Sequence, residues 1–241
     1  LRVISTAVTV LGYVLFMGAL IAIMAQWLSR SLDRFERGVT PVVQDNHVLI
    51  LGWTNRTVGI VRELLESGER LRVFLRLYRQ KTLSIVVLAE SDPAELVQEL
   101  RDRLGPLYDE RRIIVRAGSP LRIEHLRRVD YSNASAILIP GRDFAEDGAL
   151  QSDARVLKTL LAISAFARES GERLPLLVAE LFNATKAPLA RQAYQGEAEI
   201  VSSRSFITRL MAECIRHPGV SRVHDEMLSP HGNAVVFVRE R

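Results

Sequence analysis

The sequence predicts an α/β fold, an open and mostly parallel sheet, preceded by one transmembrane helix. Three observations predict it: a charge-free run from Val3 to Leu28, short continuously apolar runs that recur after Gly38, and segments of helical periodicity between those runs. With 241 residues, 48% of them apolar, the chain can bury a sizeable core. Its 32 Lys and Arg are interleaved with 28 Asp and Glu and aromatics make up 6%, so a net charge of +4 describes a mixed, solvated surface. Nucleic acid is not an expected partner. A single cysteine, Cys214, excludes an intrachain disulfide and fits a cytoplasmic setting.

About 26 helical residues from Val3 to Leu28 reach ~39 Å, more than the ~30 Å hydrocarbon core. The run ends in Gln26-Trp27-Leu28, an interfacial aromatic followed by charge, unlike the short apolar region and small-residue cleavage site of a signal peptide. Arg30, Arg34 and Arg37 place the following chain in the cytoplasm. Ser5, Thr6, Thr9, Gly12 and Gly18 are small or weakly polar, suited to close helix packing or to lining a pore, and Gly12 and Gly18 are the candidate hinges of a gating helix. Leu1 is no initiator methionine, and we expect a fragment of a longer protein. Residues 1–29 are read as the membrane helix, 30–45 as a linker and 46–241 as the soluble domain.

Each soluble element has its own signal. Val48-Leu49-Ile50-Leu51 is apolar throughout, as a strand covered on both faces must be, and stops at Gly52. Val58, Val61, Leu64 and Leu65 then recur at helical spacing up to Ser67-Gly68. The pattern repeats as strand Ile85 to Ala89, helix Pro93 to Leu104, strand Arg112 to Arg116, a short helix through Leu121 to Val129, and strand Ala136 to Ile139 closed by Pro140-Gly141. The second half gives helix Ser152 to Glu169, strand Leu176 to Glu180, helix Lys186 to Gln195, strand Ile200 to Ser202 and helix Ser205 to His217. Ala234 to Val238 reads as a final strand outside the repeat, and Arg70 to Thr82 fits neither period. Strands alternating with helices give a Rossmann-like parallel sheet with right-handed crossovers.

A dinucleotide loop needs one glycine for the turn, a second for close approach to pyrophosphate and a third for helix packing. In Gly52-Trp53-Thr54-Asn55-Arg56-Thr57-Val58-Gly59 only the first stands in place, which argues against NAD(P). Glu90 after the second strand can accept ribose hydroxyls, and Arg56 at the helix start can meet a phosphate. Gly52, Thr54, Asn55, Arg56, Glu90 and Ser119 are the candidate ligand-contacting residues.

Several stretches in order resemble the CASTOR/POLLUX family of ion channels: His47-Val48-Leu49-Ile50-Leu51-Gly52-Trp53-Thr54, Val86-Val87-Leu88-Ala89-Glu90, Arg116-Ala117-Gly118-Ser119-Pro120-Leu121, Gln151-Ser152-Asp153-Ala154-Arg155 and Arg209-Leu210-Met211-Ala212-Glu213-Cys214. The glycine-tryptophan pair in place of Gly-x-Gly is similar to that family. What the resemblance implies is a homotetrameric cation channel, K+ or Ca2+, whose last pore helix leads into an RCK (TrkA-N-like) domain. Four such domains would form a gating ring, and the implied partners are further copies of the chain, membrane lipid and the permeating cations. The implied location is a membrane, multi-pass in the whole protein, plasma membrane for bacterial relatives and nuclear envelope for plant members. The 241 residues contain no stretch read as a selectivity filter, so they carry no expectation about ion choice.

Asp143, Glu146, Asp147 and Asp153 follow the strand Ala136 to Ile139, and the resemblance makes them the candidate Ca2+ ligands, although their spacing is not that of an EF-hand. His217, His224 and His231 straddle Pro218-Gly219 and lack a zinc spacing. Cys214 shares a helical face with Ile207, Leu210 and Met211, the pattern of a buried small hydrophobe. No Gly-x-Ser-x-Gly elbow is present, and an enzyme is not expected. The alternative to the channel is a membrane-tethered NAD(P)-binding sensor or oxidoreductase.

Overall fold

A computed structural model describes residues 12–13, 15–26, 40–42, 44–67, 75–76, 80, 82–142 and 144–229, with the backbone alone for 144–149. These residues contain one six-stranded parallel sheet. Strands β1 (Val48–Leu51), β2 (Ile85–Ala89), β3 (Ile113–Ala117), β4 (Ala136–Ile139), β5 (Leu176–Leu181) and β6 (Ala198–Ser202) lie in the order β3-β2-β1-β4-β5-β6. Register is continuous, with Leu49 opposite Val86 on one side and Ile137 on the other. This is the doubly wound Rossmann order, and it reverses between β1 and β4.

Side chains alternate across the sheet, so two cores form. On one face Val48, Ile50, Ile85, Val87, Ile113 and Val115 meet helices α1 (Thr57–Glu66) and α2 (Pro93–Leu104) through Val58, Val61, Leu96 and Leu100. On the other, Leu49, Leu51, Val86, Leu88, Ile137, Leu177 and Ala179 meet α3 (Ile123–Arg128), α4 (Phe144–Ser170) and α5 (Ala187–Ala193) through Leu126, Val156, Leu160, Ile163 and Ala190. Helix α2 shows why the boundaries fall where they do. Asp92 caps it by accepting from the Ala94 amide at 2.9 Å, Pro93 occupies the first turn, and Gly105 ends it at φ +55°.

Several strand and helix ends shift by one or two residues from the expected ones, and three differences are larger. Helix α4 begins at Phe144, not Ser152, because Ala, Leu and Gln extend the helix backwards through the acidic stretch. The helix expected over Lys186 to Gln195 splits into a 3-10 turn, Ala184–Lys186, and α5. Beyond β6, α6 (Ser203–Arg216) is followed by α7 (Val220–Leu228), a helix the sequence analysis does not anticipate; Pro218-Gly219 ends one helix, and Gly219, at φ +100°, caps the start of the next.

Neither α6 nor α7 buries a residue. Phe206, Met211, Ile215, Val223 and Leu228 stand exposed, Ile215 to 82%. Cys214 is therefore half-buried, not buried as expected, because its helix face has no partner within the described chain. Residues 12–13 and 15–26 are helical, with Phe16, Ile21 and Ile23 exposed. Among the described residues no helix is long and apolar enough to cross a membrane, and the rest of the run Val3 to Leu28 lies outside them. Most of 70–83 and the expected strand Ala234 to Val238 also lie outside.

Candidate functional site

The carboxyl ends of β1 and β4, where strand order reverses, open onto a cleft of 460 Å³. Gly52, Trp53 and Thr54 form one wall, Glu90 and Leu121 another, and Arg142, Arg155 and Lys158 a third. Open α/β sheets bind ligands here because adjacent crossovers leave in opposite directions and part the loops.

The β1–α1 turn is built differently from a phosphate loop. Gly52 adopts φ +108°, and its amide donates to Leu88 O at 2.8 Å, so the tight turn survives. The Thr54 amide donates to Thr57 Oγ1 at 2.9 Å, and the Arg56 amide to Thr54 Oγ1 at 3.3 Å. Those are the helix-start donors that a pyrophosphate would need, and hydroxyls already occupy them. Thr54 is buried and Asn55 exposed, while Trp53 adds bulk at the mouth.

Arg56 turns away from the cleft. Its guanidinium pairs with Glu180 at the end of β5 and lies 5.8 Å from the centre of the Phe182 ring. The other Glu180 oxygen accepts from the Gly141 amide at 2.9 Å, and a Cβ at Gly141 would come within 3.0 Å of that carboxylate. One glutamate thus ties the ends of β1, β4 and β5 together. Glu90, half-exposed, faces Arg155 of α4 at 3.7 Å across the cleft.

Ser119 does not line the cleft, although Pro120 and Leu121 do. Its amide donates to His125 Nδ1 at 2.9 Å, which places the ring proton on Nε2. Burial, then the charges of Arg128 and Arg122, hold His125 below the usual histidine range. Gly118 is required next to it, since a Cβ would sit 2.9 Å from Leu88 Cδ1 and 3.0 Å from His125 Cβ.

The four acids proposed for Ca2+ are placed unevenly. Asp143 lies outside the described residues, and Glu146 and Asp147 stand in the first turns of α4. Asp153, six residues on, is buried, and its carboxylate accepts from the Phe182 amide at 2.8 Å, the Asn183 amide at 3.3 Å and Lys186 Nζ at 2.9 Å. Three of its lone-pair positions are thereby used. Among the described residues no group of three acids, histidines or cysteines converges as a metal site. His217 lies by Glu213 at 3.6 Å, His224 packs edge-on against Phe206, and His231 lies outside. Gly12 and Gly18 are in helical segments, with open space where a Cβ would be.

Sequence reasoning missed Glu180, Gly141 and Lys186. Glu180 and Glu90 both lie within a residue of the carboxyl end of a parallel strand, and that placement was the available signal.

The family described as "Calcium-activated potassium channel slowpoke-like RCK domain" matches residues 44–193. The chain belongs to that family. Its resemblance to the CASTOR/POLLUX channels is also borne out. "Probable ion channel POLLUX" of Arabidopsis thaliana is 27% identical over 243 residues, 99% of this chain and 27% of the relative. "Ion channel CASTOR" of Lotus japonicus is 28% identical over 228 residues, 94% of this chain and 25% of the relative. The chain therefore spans about a quarter of the length of these relatives. The human SLO3 gating ring aligns with a TM-score of 0.55 at 15% identity, over 78% of this chain and 34% of its own, which shows a common fold. The RCK domain thus keeps the Rossmann sheet while its nucleotide turn is closed by Thr54 and Thr57.

Proposed function

We propose that this chain is part of a subunit of a ligand-gated cation channel, in which the RCK domain moves a pore-lining helix, Val3 to Leu28. The observation that carries this reading is the continuity of the match: named ion channels align with 99% of the chain, through the apolar segment and the domain together. A pore helix and its regulator are then one covalent unit. Four copies form a gating ring at the cytoplasmic side of the membrane, and exposed Phe206, Met211 and Ile215 on α6 supply an apolar surface for contact between copies. A ligand shifts such a ring only through its differential affinity for the open and closed states.

Ca2+ is the ligand to try first, held by Asp143, Glu146 and Asp147 rather than by Asp153, whose carboxylate already serves Lys186 and two amides. The permeating cation is K+ or Ca2+. The tethered NAD(P) sensor or oxidoreductase is the weaker reading, since the Thr54 and Arg56 amides are taken by hydroxyls.

Cation flux through the full-length parent protein in liposomes, with Ca2+ raised from micromolar to millimolar, tests the proposal. Flux that changes with Ca2+ supports it. Absence of flux under every condition would reject the channel and bring dinucleotide binding forward.

A further inference from the structure

We propose that Arg116 and Arg128, with His125 beside them, form a binding site for a phosphate-bearing anion where the linker joins the RCK domain. Arg116 lies on β3 and Arg128 ends α3, and both are half-buried. Arg116 Nε donates to Thr40 O at 2.8 Å and its Nη1 to Val115 O at 2.9 Å, while Arg128 Nη1 donates to Ala117 O at 3.1 Å. Every acceptor is a main-chain carbonyl. Three other arginines of the domain meet acids instead, Arg56 with Glu180, Arg101 with Glu110 and Arg103 with Glu99, while Arg112, like Arg116, donates to a main-chain carbonyl, that of Leu83, at 3.2 Å. Neither Arg116 nor Arg128 meets a carboxylate among the described residues.

The two guanidiniums bond to carbonyls two residues apart on β3, those of Val115 and Ala117, and like charges so placed and partly out of water repel one another. Burial, then the charge of Arg128, depresses the Arg116 guanidinium below its usual range, and no acid offsets either effect. Such a pair is stabilised by an anion that both forks can grasp. A tetrahedral phosphate presents three or four oxygens and up to two negative charges to two guanidiniums at once, whereas a carboxylate offers two oxygens and one charge. Arg116 Nη2 and Arg128 Nε and Nη2 remain as donors, and His125 adds its Nε2–H, because its Nδ1 is spent on the Ser119 amide. Arg122 contributes further positive charge to this cluster, and Glu124 acts on His125 more weakly than the two arginines do.

The position gives the site a consequence. Thr40 O is held by the Arg116 side chain, and the Val42 amide donates to the main-chain O of Arg128 at 2.8 Å, so both residues are among those that anchor the linker. An anion bound there would stiffen the joint through which any movement of the domain passes. The phosphate can belong to a lipid headgroup or be free in solution. Binding itself does not depend on the channel reading.

Hydrogen exchange of the full chain in nanodiscs tests this in two arms. In one, neutral phosphatidylcholine discs receive inorganic phosphate; in the other, the discs contain phosphatidic acid. Slowed exchange across 113–128 is expected in at least one arm, with affinity about tenfold weaker in Arg116→Gln/Arg128→Gln and unchanged in Arg101→Gln/Arg103→Gln. Protection by inorganic phosphate assigns a free anion, and protection by phosphatidic acid alone assigns a headgroup. No protection in either arm, or full protection in the glutamine pair, would overturn the proposal. Should that pair fail to fold, Arg116→Lys/Arg128→Lys keeps the charge without the forks, and undiminished affinity in it would equally overturn the site.

Discussion

Replacing Asp153 by asparagine probes the joint between α4 and the end of β5. The carboxylate is buried and serves three donors, the amides of Phe182 and Asn183 and Lys186 Nζ. Asparagine keeps the volume and one acceptor, but its amide group points a donor at donors. Breaking a buried pair by removing one charge costs about 3–5 kcal/mol, and the lower end applies because Lys186 retains 21% exposure and can reach water. At about 2–4 °C per kcal/mol for a domain of this size, the expected fall in Tm is roughly 6–12 °C. Thermal melting of the detergent-solubilised chain, followed by circular dichroism at the helix band, measures it, with exposed Asp102→Asn as a control that should move little. A fall under about 3 °C would refute the claim that Asp153 is structural, and would return it to the acids available for Ca2+.

Other consequences are equally direct. Gly118→Ala forces a methyl against Leu88 and His125 and should destabilise by about 1–3 kcal/mol in the same melt, whereas Gly59→Ala, with open space around it, should not. His47 is fully buried, with Nδ1 2.6 Å from Gln44 O, and burial lowers its pKa from 6.5. The unfolded chain therefore takes the proton first, so stability falls as pH drops through 6.5, by at most about 1.4 kcal/mol per unit. Melts between neutral and mildly acidic pH should show a shallower loss in His47→Gln than in the wild type. Phe206→Glu/Met211→Glu places charge on the exposed α6 face and should reduce the oligomer mass measured by sedimentation, while an unchanged mass would remove that face from the assembly.

The strands were legible because their chemistry is local. Val48–Leu51, Ile85–Ala89 and Ala136–Ile139 are short, wholly apolar and bounded by glycine, proline or acid, and the structure keeps those bounds. The alternation that sorts Leu49 from Ile50 onto opposite cores could not be read, since a strand buried on both faces has no polar side. The site was legible only in outline. The broken glycine turn pointed to a changed cleft, yet nothing near Arg56 in sequence announces Glu180, 124 positions away. Asp153 looked like a member of an acidic cluster because sequence proximity ignores direction. On a helix it faces the sheet end and finds Lys186. Cys214 misled for the opposite reason: an apolar helix face predicts burial but not which molecule supplies the cover.

The central claim is that the domain works the pore through the segment anchored at Thr40 and Val42. Single-channel recording of the full-length parent protein, with Ca2+ stepped on the domain side, tests it when a flexible Gly-Ser insert placed before Thr40 is compared with the uninterrupted chain. The account predicts an open probability that follows Ca2+ in the uninterrupted protein and no longer does so with the insert. An open probability indifferent to Ca2+, or a response that survives the insert unchanged, would contradict it.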